Sequence, residues 1–260
     1  MSTNRQFSLA LEALAELKTD ASTPAANLTP VAPTLGEILE EIGTLPREAL
    51  LLGVASDGLP ILLNLYDSHP GPLIVLGDSG AGKTNFLQTV AKSAIQTHHP
   101  NDLQYGVITN HIEEWEIIEE TPHSAGVFYV GHPNAQDLIL SLATWAHTNK
   151  NTRQSVLLLV DGLEDVANLE ADVVQSFRWL LLRGPSRRVW PIITLQAENY
   201  EQVVSWLQNF RTRIFGHIAN EHIAWALGAD KVSALNQLEP RIQFSLPENG
   251  NWLRFWLPSC

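Results

Sequence analysis

Between Pro72 and Ile95 an apolar strand, a glycine-rich octapeptide and a helix-like stretch follow one another without a break. No other part of the chain restricts its fold so strongly. Residues 77–84 read Gly77-Asp78-Ser79-Gly80-Ala81-Gly82-Lys83-Thr84, directly after Pro72-Leu73-Ile74-Val75-Leu76. Glycines at 77, 80 and 82 let the backbone wrap closely around an anion, with successive N–H groups turned inward. In such a loop the lysine, here Lys83, reaches the β- and γ-phosphates, and the hydroxyl of Thr84 ligates Mg²⁺. Asn85 to Ile95 reads as a helix whose N-terminus faces the anion. A glycine-rich loop alone is weak evidence. Flanked by strand and helix it predicts a P-loop, with residues 77–85 cradling the phosphates of ATP.

Composition sets the outer bounds. A length of 260 residues accommodates one large domain, or a domain with a tail, and 45% hydrophobic residues suit a sizeable buried core. No apolar run approaches the roughly 20 residues needed to span a bilayer. The N-terminus, Met1-Ser2-Thr3-Asn4-Arg5-Gln6, lacks the basic-then-apolar layout of a signal peptide. The only cysteine is Cys260, so an internal disulfide is excluded and a cytoplasmic location is expected.

The formal net charge is −12, from 16 basic and 28 acidic residues. Sequence-independent nucleic-acid binding depends on Lys and Arg neutralising phosphates, so this balance disfavours DNA. The arginines are unevenly placed. Arg178, Arg183, Arg187, Arg188, Arg211 and Arg213 share one span in which Glu198 and Glu201 are the only acids. That concentration reads either as solvated helix ends and strand flanks, or as a subunit edge or phosphate-facing surface.

The chain divides by pattern. Apolar residues at 7, 9, 11, 14 and 17 give residues 1–18 the spacing of an amphipathic helix, and residues 19–33, with three prolines, read as a linker. Residues 34–260 form the expected domain, opening on a helix that Thr34 caps with Glu37 as its capping box. Strands are predicted at 49–54, 59–65, 103–109, 126–130, 155–160, 189–194 and 213–218, besides the one preceding the P-loop. Helices are predicted at 135–148, 164–182, 200–210 and 221–227. The alternation argues a mainly parallel sheet covered on both faces. Residues 49–65 and 241–256 add an N-terminal and a C-terminal hairpin, the second turning through Pro247-Glu248-Asn249-Gly250.

Val156-Leu157-Leu158-Leu159-Val160-Asp161 is a buried strand ending in a carboxylate, the layout of a Walker B motif, with Asp161 and Thr84 as the Mg²⁺ residues. Hydrolysis also needs a group that positions the attacking water. Many P-loop ATPases supply it as a Glu directly after that Asp, where this chain has Gly162. Glu164 and Asp165 stand close by; they serve the site if the turn redirects them, and otherwise cap the next helix. Gln196, at the tip of Ile192-Ile193-Thr194-Leu195-Gln196, is a candidate sensor of the γ-phosphate or a plain strand end. Arg213 is a candidate finger toward a neighbouring subunit's nucleotide, or a surface ion pair.

Several segments together resemble the FtsK/SpoIIIE domains, in particular those of the type VII secretion ATPases (EssC/EccC). The hairpin over Ser56–Leu65 and the P-loop lead. His99-Pro100-Asn101-Asp102-Leu103-Gln104, Pro122-His123-Ser124-Ala125-Gly126-Val127, Arg187-Arg188-Val189-Trp190 with Thr194-Leu195-Gln196, and Asn209-Phe210-Arg211-Thr212-Arg213-Ile214 follow in the family's order. The similarity runs from about Leu51 to the C-terminus. It implies an α/β, RecA-like P-loop NTPase fold, often assembled as hexameric rings or tandem arrays with ATP at subunit boundaries. It also implies Lys83 and Thr84 at phosphate and Mg²⁺, Asp161 as Walker B, Gln196 as sensor and Arg213 as the trans finger. The departure at Gly162 is similar to the degenerate later domains of the secretion ATPases, which look more like regulatory or substrate-binding modules than motors.

The histidines offer no zinc-like spacing. Trp206, Trp225, Trp252 and Trp256 read as core or interface residues rather than base-stacking platforms. The expected protein is therefore an ATP- and Mg²⁺-binding module with weak or partner-dependent hydrolysis. It would work within a homo-oligomer or a larger secretion-like assembly, with a protein chain as a candidate substrate and DNA a candidate that the net charge disfavours. The alternative is an active hexameric ring motor that moves DNA or a protein chain.

Overall fold

A computed structural model of the protein describes residues 33–149, 152–248 and 250–259. The sequence expectations for residues 1–18 and for 19–32 lie outside them. Everything described falls within the larger of the two units into which the chain divides, Ala32–Cys260.

The strands are β1 (Ala49–Ala55), β2 (Pro60–Asn64), β3 (Leu73–Gly77), β4 (Leu103–Thr109), β5 (Ser124–Tyr129), β6 (Ser155–Asp161), β7 (Val189–Gln196), β8 (Thr212–Phe215), β9 (Gln243–Glu248) and β10 (Asn251–Trp256). All join one sheet, in the order β2-β1-β10-β9-β8-β3-β7-β6-β4-β5. The six strands from β8 to β5 run parallel, and the remaining neighbours pair antiparallel. Both hairpins are present, and β10 pairs with β1, so they extend the central sheet rather than standing apart as additions.

β3, β6 and β7 read as unbroken apolar runs because both faces of the parallel core are covered. Side chains still alternate. Leu73 and Val75 enter one core with Leu157, Leu159 and Ile192, while Ile74 and Leu76 enter the other with Leu158, Val160 and Ile193. On the first face lies the helix after the P-loop, α2 (Lys83–Thr97), with Phe86, Leu87, Val90 and Ala94 buried. Phe86 packs against Phe244 of β9 and Phe255 of β10, at ring-centroid distances of 5.4 and 6.4 Å. The hairpin thus holds α2 from the far side. The second face is covered by α4 (Pro133–Thr148) and α6 (Ala171–Arg183), through residues such as Ile139, Leu142, Phe177 and Leu180. Ahead of the sheet, α1 (Leu35–Ile42) starts at the expected capping box between Thr34 and Glu37. A short helix, α3 (Glu116–Glu119), follows β4.

Two expected helices are broken. The stretch predicted as 164–182 consists of α5 (Leu163–Val166) and then α6. Asn168 explains the break: its amide donates to the Glu164 carbonyl at 2.7 Å, a side-chain substitute for continued helix. The 200–210 stretch becomes a 3-10 helix over Ala197–Val203 and a single turn, α7 (Val204–Leu207). β8 ends at Phe215 rather than 218, where Gly216 N–H closes onto the Leu76 carbonyl at 2.7 Å. α8 (Glu221–Ala226) follows.

Two members of the arginine-rich span are used within the fold. Arg178 stacks over Trp206, and Arg188 lies 3.7 Å from the Tyr66 ring centroid while donating to the Leu65 carbonyl. Arg183 and Arg211 are exposed and line one surface cavity. Of the tryptophans, Trp206 is buried, Trp252 packs edge-on against Phe215, and Trp225 is exposed.

Candidate nucleotide site

In the parallel core the register brings the polar strand ends to one edge. Gly77 pairs with Gln196, Asp161 pairs with Thr194, and Thr109 pairs with Asp161. Ligands of open α/β sheets bind at this carboxyl edge, because the loops diverge there and the helix N-termini point to it. A cavity of about 280 Å³ opens at these tips; its lining includes Ser79, Gly80, Lys83, Thr84, Asp161 and Gln196.

The P-loop is already shaped. Lys83 Nζ donates to the Gly77 and Asp78 carbonyls at 3.1 and 2.8 Å, folding the loop around its own ammonium. It also donates to Gln196 Oε1 at 2.8 Å, so the lysine and the expected sensor meet directly. Burial lowers the Lys83 pKa from its ordinary value, opposed by attraction from Asp161, then Glu164, Asp78 and Glu198. No side chain caps α2, whose N-cap is Gly82, so its first N–H groups are left for an anion.

Within the loop the roles divide. Ser79, Gly80, Lys83 and Thr84 border the cavity. Asp78 turns its carboxylate outward to accept the Ala219 N–H at 2.8 Å, tying the loop to the segment after β8. Ala81 accepts the Arg241 N–H at 3.0 Å, and Asn85 Nδ2 donates to the Arg241 carbonyl at 3.0 Å. Arg241 sits at φ +76°, and a Cβ on Gly82 would lie 2.5 Å from its Cα. Glycine at 82 is required by this close approach as well as by its own φ of +93°. No local pattern signals this bracket, since it depends on a segment far along the chain.

Asp161 is held from two sides. Thr84 Oγ1 donates to Oδ2 and Thr194 Oγ1 to Oδ1, each at 2.7 Å. Sequence reasoning misses Thr194 as a site residue, because a threonine two residues before a strand's polar tip carries no signal of its own. The same holds for Asn110 and Asn199. Asn110 Nδ2 donates to Asp165 Oδ2 at 2.6 Å, and Asn199 Nδ2 donates to Glu164 Oε1 at 3.0 Å. Burial raises the Asp165 pKa above its usual value, with Asp161 adding to the effect and Asn110 opposing it.

Arg213 is not among the residues lining the cavity. Its guanidinium donates instead to the Leu227 carbonyl at 2.7 Å and to the Leu207 carbonyl at 3.0 Å, closing the ends of α8 and α7. In this structure Arg213 serves its own chain, giving the Leu227 carbonyl its donor and the Leu207 carbonyl a second one beside the Phe210 N–H. His123 is buried, with Nε2 on the His98 carbonyl at 2.9 Å, a structural placement.

A parallel sheet with helices on both faces, a P-loop after its central strand and an acidic neighbouring strand tip define a RecA-like P-loop ATPase fold. The particular family follows from the sequence match. Residues 47–211, more than half of the chain, match the model of the FtsK/SpoIIIE family, and the chain belongs to that family. Among solved structures, ATPases 2 and 3 of Thermomonospora curvata EccC, in complex with a signal sequence peptide, share this fold. The TM-score is 0.67 at 14% identity, over 92% of this chain and 45% of that one. EssC (ATPases 2 and 3) from Geobacillus thermodenitrificans gives 0.70 at 14%, over 90% and 48%. The pCW3 conjugation coupling protein TcpA, with ATPγS, gives 0.66 at 14%, over 90% and 71%. The chain therefore spans less than half the length of these EccC and EssC chains. No protein of curated function matches it. Among the described residues no helix is long and apolar enough to cross a membrane.

Proposed function

We propose that the protein binds ATP with Mg²⁺ at the carboxyl edge of β3, β6 and β7, hydrolyses it weakly or only with a partner, and works within an oligomeric or multi-protein cytoplasmic assembly. One observation carries this reading: two hydrogen-bonded sets, Gln196–Lys83 and Thr84–Asp161–Thr194, line one cavity on a preformed P-loop. Phosphates entering the cavity meet the N-terminus of α2 and the Lys83 ammonium. Lys83 then exchanges carbonyl partners for phosphate oxygens, and Gln196 remains within reach of the γ-phosphate.

The residues fit Mg²⁺. Thr84 and Asp161 present oxygen donors side by side, and this hard cation typically takes one or two protein oxygens, with phosphate and water completing the shell. Among the described residues no set of three or more His, Cys, Asp or Glu is placed to hold a metal by itself. When bound there, Mg²⁺ neutralises charge on the β- and γ-oxygens.

The likeness to EccC, whose structure holds a signal sequence peptide, supports a protein cargo, while the net charge of −12 weighs against DNA. Titration with a fluorescent ATP analogue tests the reading. The wild type binds in the presence of Mg²⁺, and Lys83→Ala weakens binding by tenfold or more, since a charge-assisted contact worth about 1.5–3 kcal/mol is lost. Equal affinity of the two proteins would contradict it.

A further inference from the structure

Hydrolysis needs a carboxylate or amide that holds the attacking water, and the position directly after Asp161 is a glycine. Gly162 does more than omit a side chain. Its φ is +117°, and α5 begins at the next residue, so the backbone reverses direction immediately beyond the strand tip. Leu163 is buried in the core by this turn, and Glu164 is left lining the cavity beside Lys83, Asp161 and Gln196.

The Glu164 side chain is also held in place. Asn199, just beyond the sensor strand β7, donates to Oε1 and fixes the carboxylate. The other oxygen, Oε2, is buried and has no hydrogen-bond partner among the described residues. A buried carboxylate oxygen without a donor is costly unless a ligand or water supplies one. Both Asp161 oxygens accept from threonines, and Asp165 Oδ2 accepts from Asn110.

We propose that Glu164 is the water-positioning carboxylate of this site, replacing the glutamate absent at 162, with Asn199 as its positioning residue. The proposal rests on the ATP-binding reading above. The water oxygen forms a bond to the γ-phosphorus as the bond from that phosphorus to the β,γ-bridging oxygen breaks. The electron pair of the broken bond stays on ADP. One water proton passes to the Glu164 carboxylate and leaves for solvent as the cavity empties, with inorganic phosphate as the second product. The link through Asn199 couples the carboxylate to the strand whose Gln196 touches Lys83.

The test is single-turnover hydrolysis of ATP with Mg²⁺, the full-length protein in excess, alongside titration with the fluorescent analogue. Glu164→Gln keeps an acceptor for Asn199 and removes the charge. It is expected to lower turnover by about 10²-fold or more while binding the analogue like wild type. Asn199→Ala is expected to lower kcat by a smaller factor with KM unchanged, a split that a merely structural loss does not produce. Wild-type turnover in Glu164→Gln overturns the proposal, as does a larger loss in Asp165→Asn than in Glu164→Gln. So does a wild type that binds the analogue yet turns over no faster than Lys83→Ala. A wild type that fails to bind the analogue removes the underlying reading as well.

Discussion

At position 162 the backbone stands at φ +117° and ψ 91°, a region open to glycine and strained for any other residue. The absence of the usual glutamate is therefore a backbone requirement as much as a chemical loss. A Cβ there would also lie 2.7 Å from Asp165 Oδ2, which Asn110 already holds. Gly162→Glu, which restores the common Asp-Glu pair in sequence, is expected to lower stability by about 1–3 kcal/mol and to leave ATP turnover no higher than wild type. Urea denaturation and the single-turnover assay measure both. A gain in turnover would show that the strand tip tolerates the usual arrangement.

Among the elements, the short helices α7 and α8 depend on one side chain. Arg213 satisfies the Leu207 and Leu227 carbonyls at their ends, and Gly228 at φ +95° leaves room for its guanidinium. Arg213→Ala is expected to lower the unfolding free energy by about 1–3 kcal/mol, because the Leu227 carbonyl loses its donor while the Leu207 carbonyl keeps only the Phe210 N–H. An unchanged denaturation midpoint, together with loss of hydrolysis only in an assembled form, would return Arg213 to the role of an intersubunit finger. At the other end of α2, His98 faces the Arg47 carbonyl and the Thr97 hydroxyl, with Asp102 and the buried His123 as its charged or titratable neighbours. Burial, joined by His123, depresses its pKa from 6.5 against the opposing pull of the Arg47 carbonyl and Asp102. The folded state then binds fewer protons than the unfolded chain, so stability falls as pH drops through the unfolded value of 6.5 toward the folded one. Chemical denaturation across that window is expected to show the decline, and His98→Gln to flatten it.

For the whole molecule, two large apolar side chains beside a second cavity remain in solvent. Trp225 is 39% exposed and borders the cavity formed with Ile218 and Leu235, and Val232, 76% exposed, lies in the same segment. Exposed aromatic and aliphatic groups so placed suit a protein contact better than open water. With ATP analogue and Mg²⁺, native mass measurement at micromolar concentration is expected to show species heavier than the 28.8 kDa chain. A monomer under every nucleotide condition would contradict self-assembly and leave only a heterologous partner.

The local features are legible in the residues themselves. The P-loop, the strand ending at Asp161, the capping box at Thr34 and the parallel core all rest on short-range patterns: glycine spacing, apolar runs, a cap three residues from its partner. Such patterns are enforced by backbone geometry and by burial on both faces of a sheet, so neighbouring residues suffice to reveal them. What required the tertiary structure involves residues far apart in the chain. Asn199 reaches Glu164, Arg241 brackets Gly82, Thr194 completes the hold on Asp161, and Arg213 reaches the Leu227 carbonyl. Single hydrogen bonds across distant segments leave no periodicity in the sequence, and the turn at Gly162 decides which side chain faces the phosphates. The sequence determined that a nucleotide loop exists; only the folded sheet decided which carboxylate could serve it.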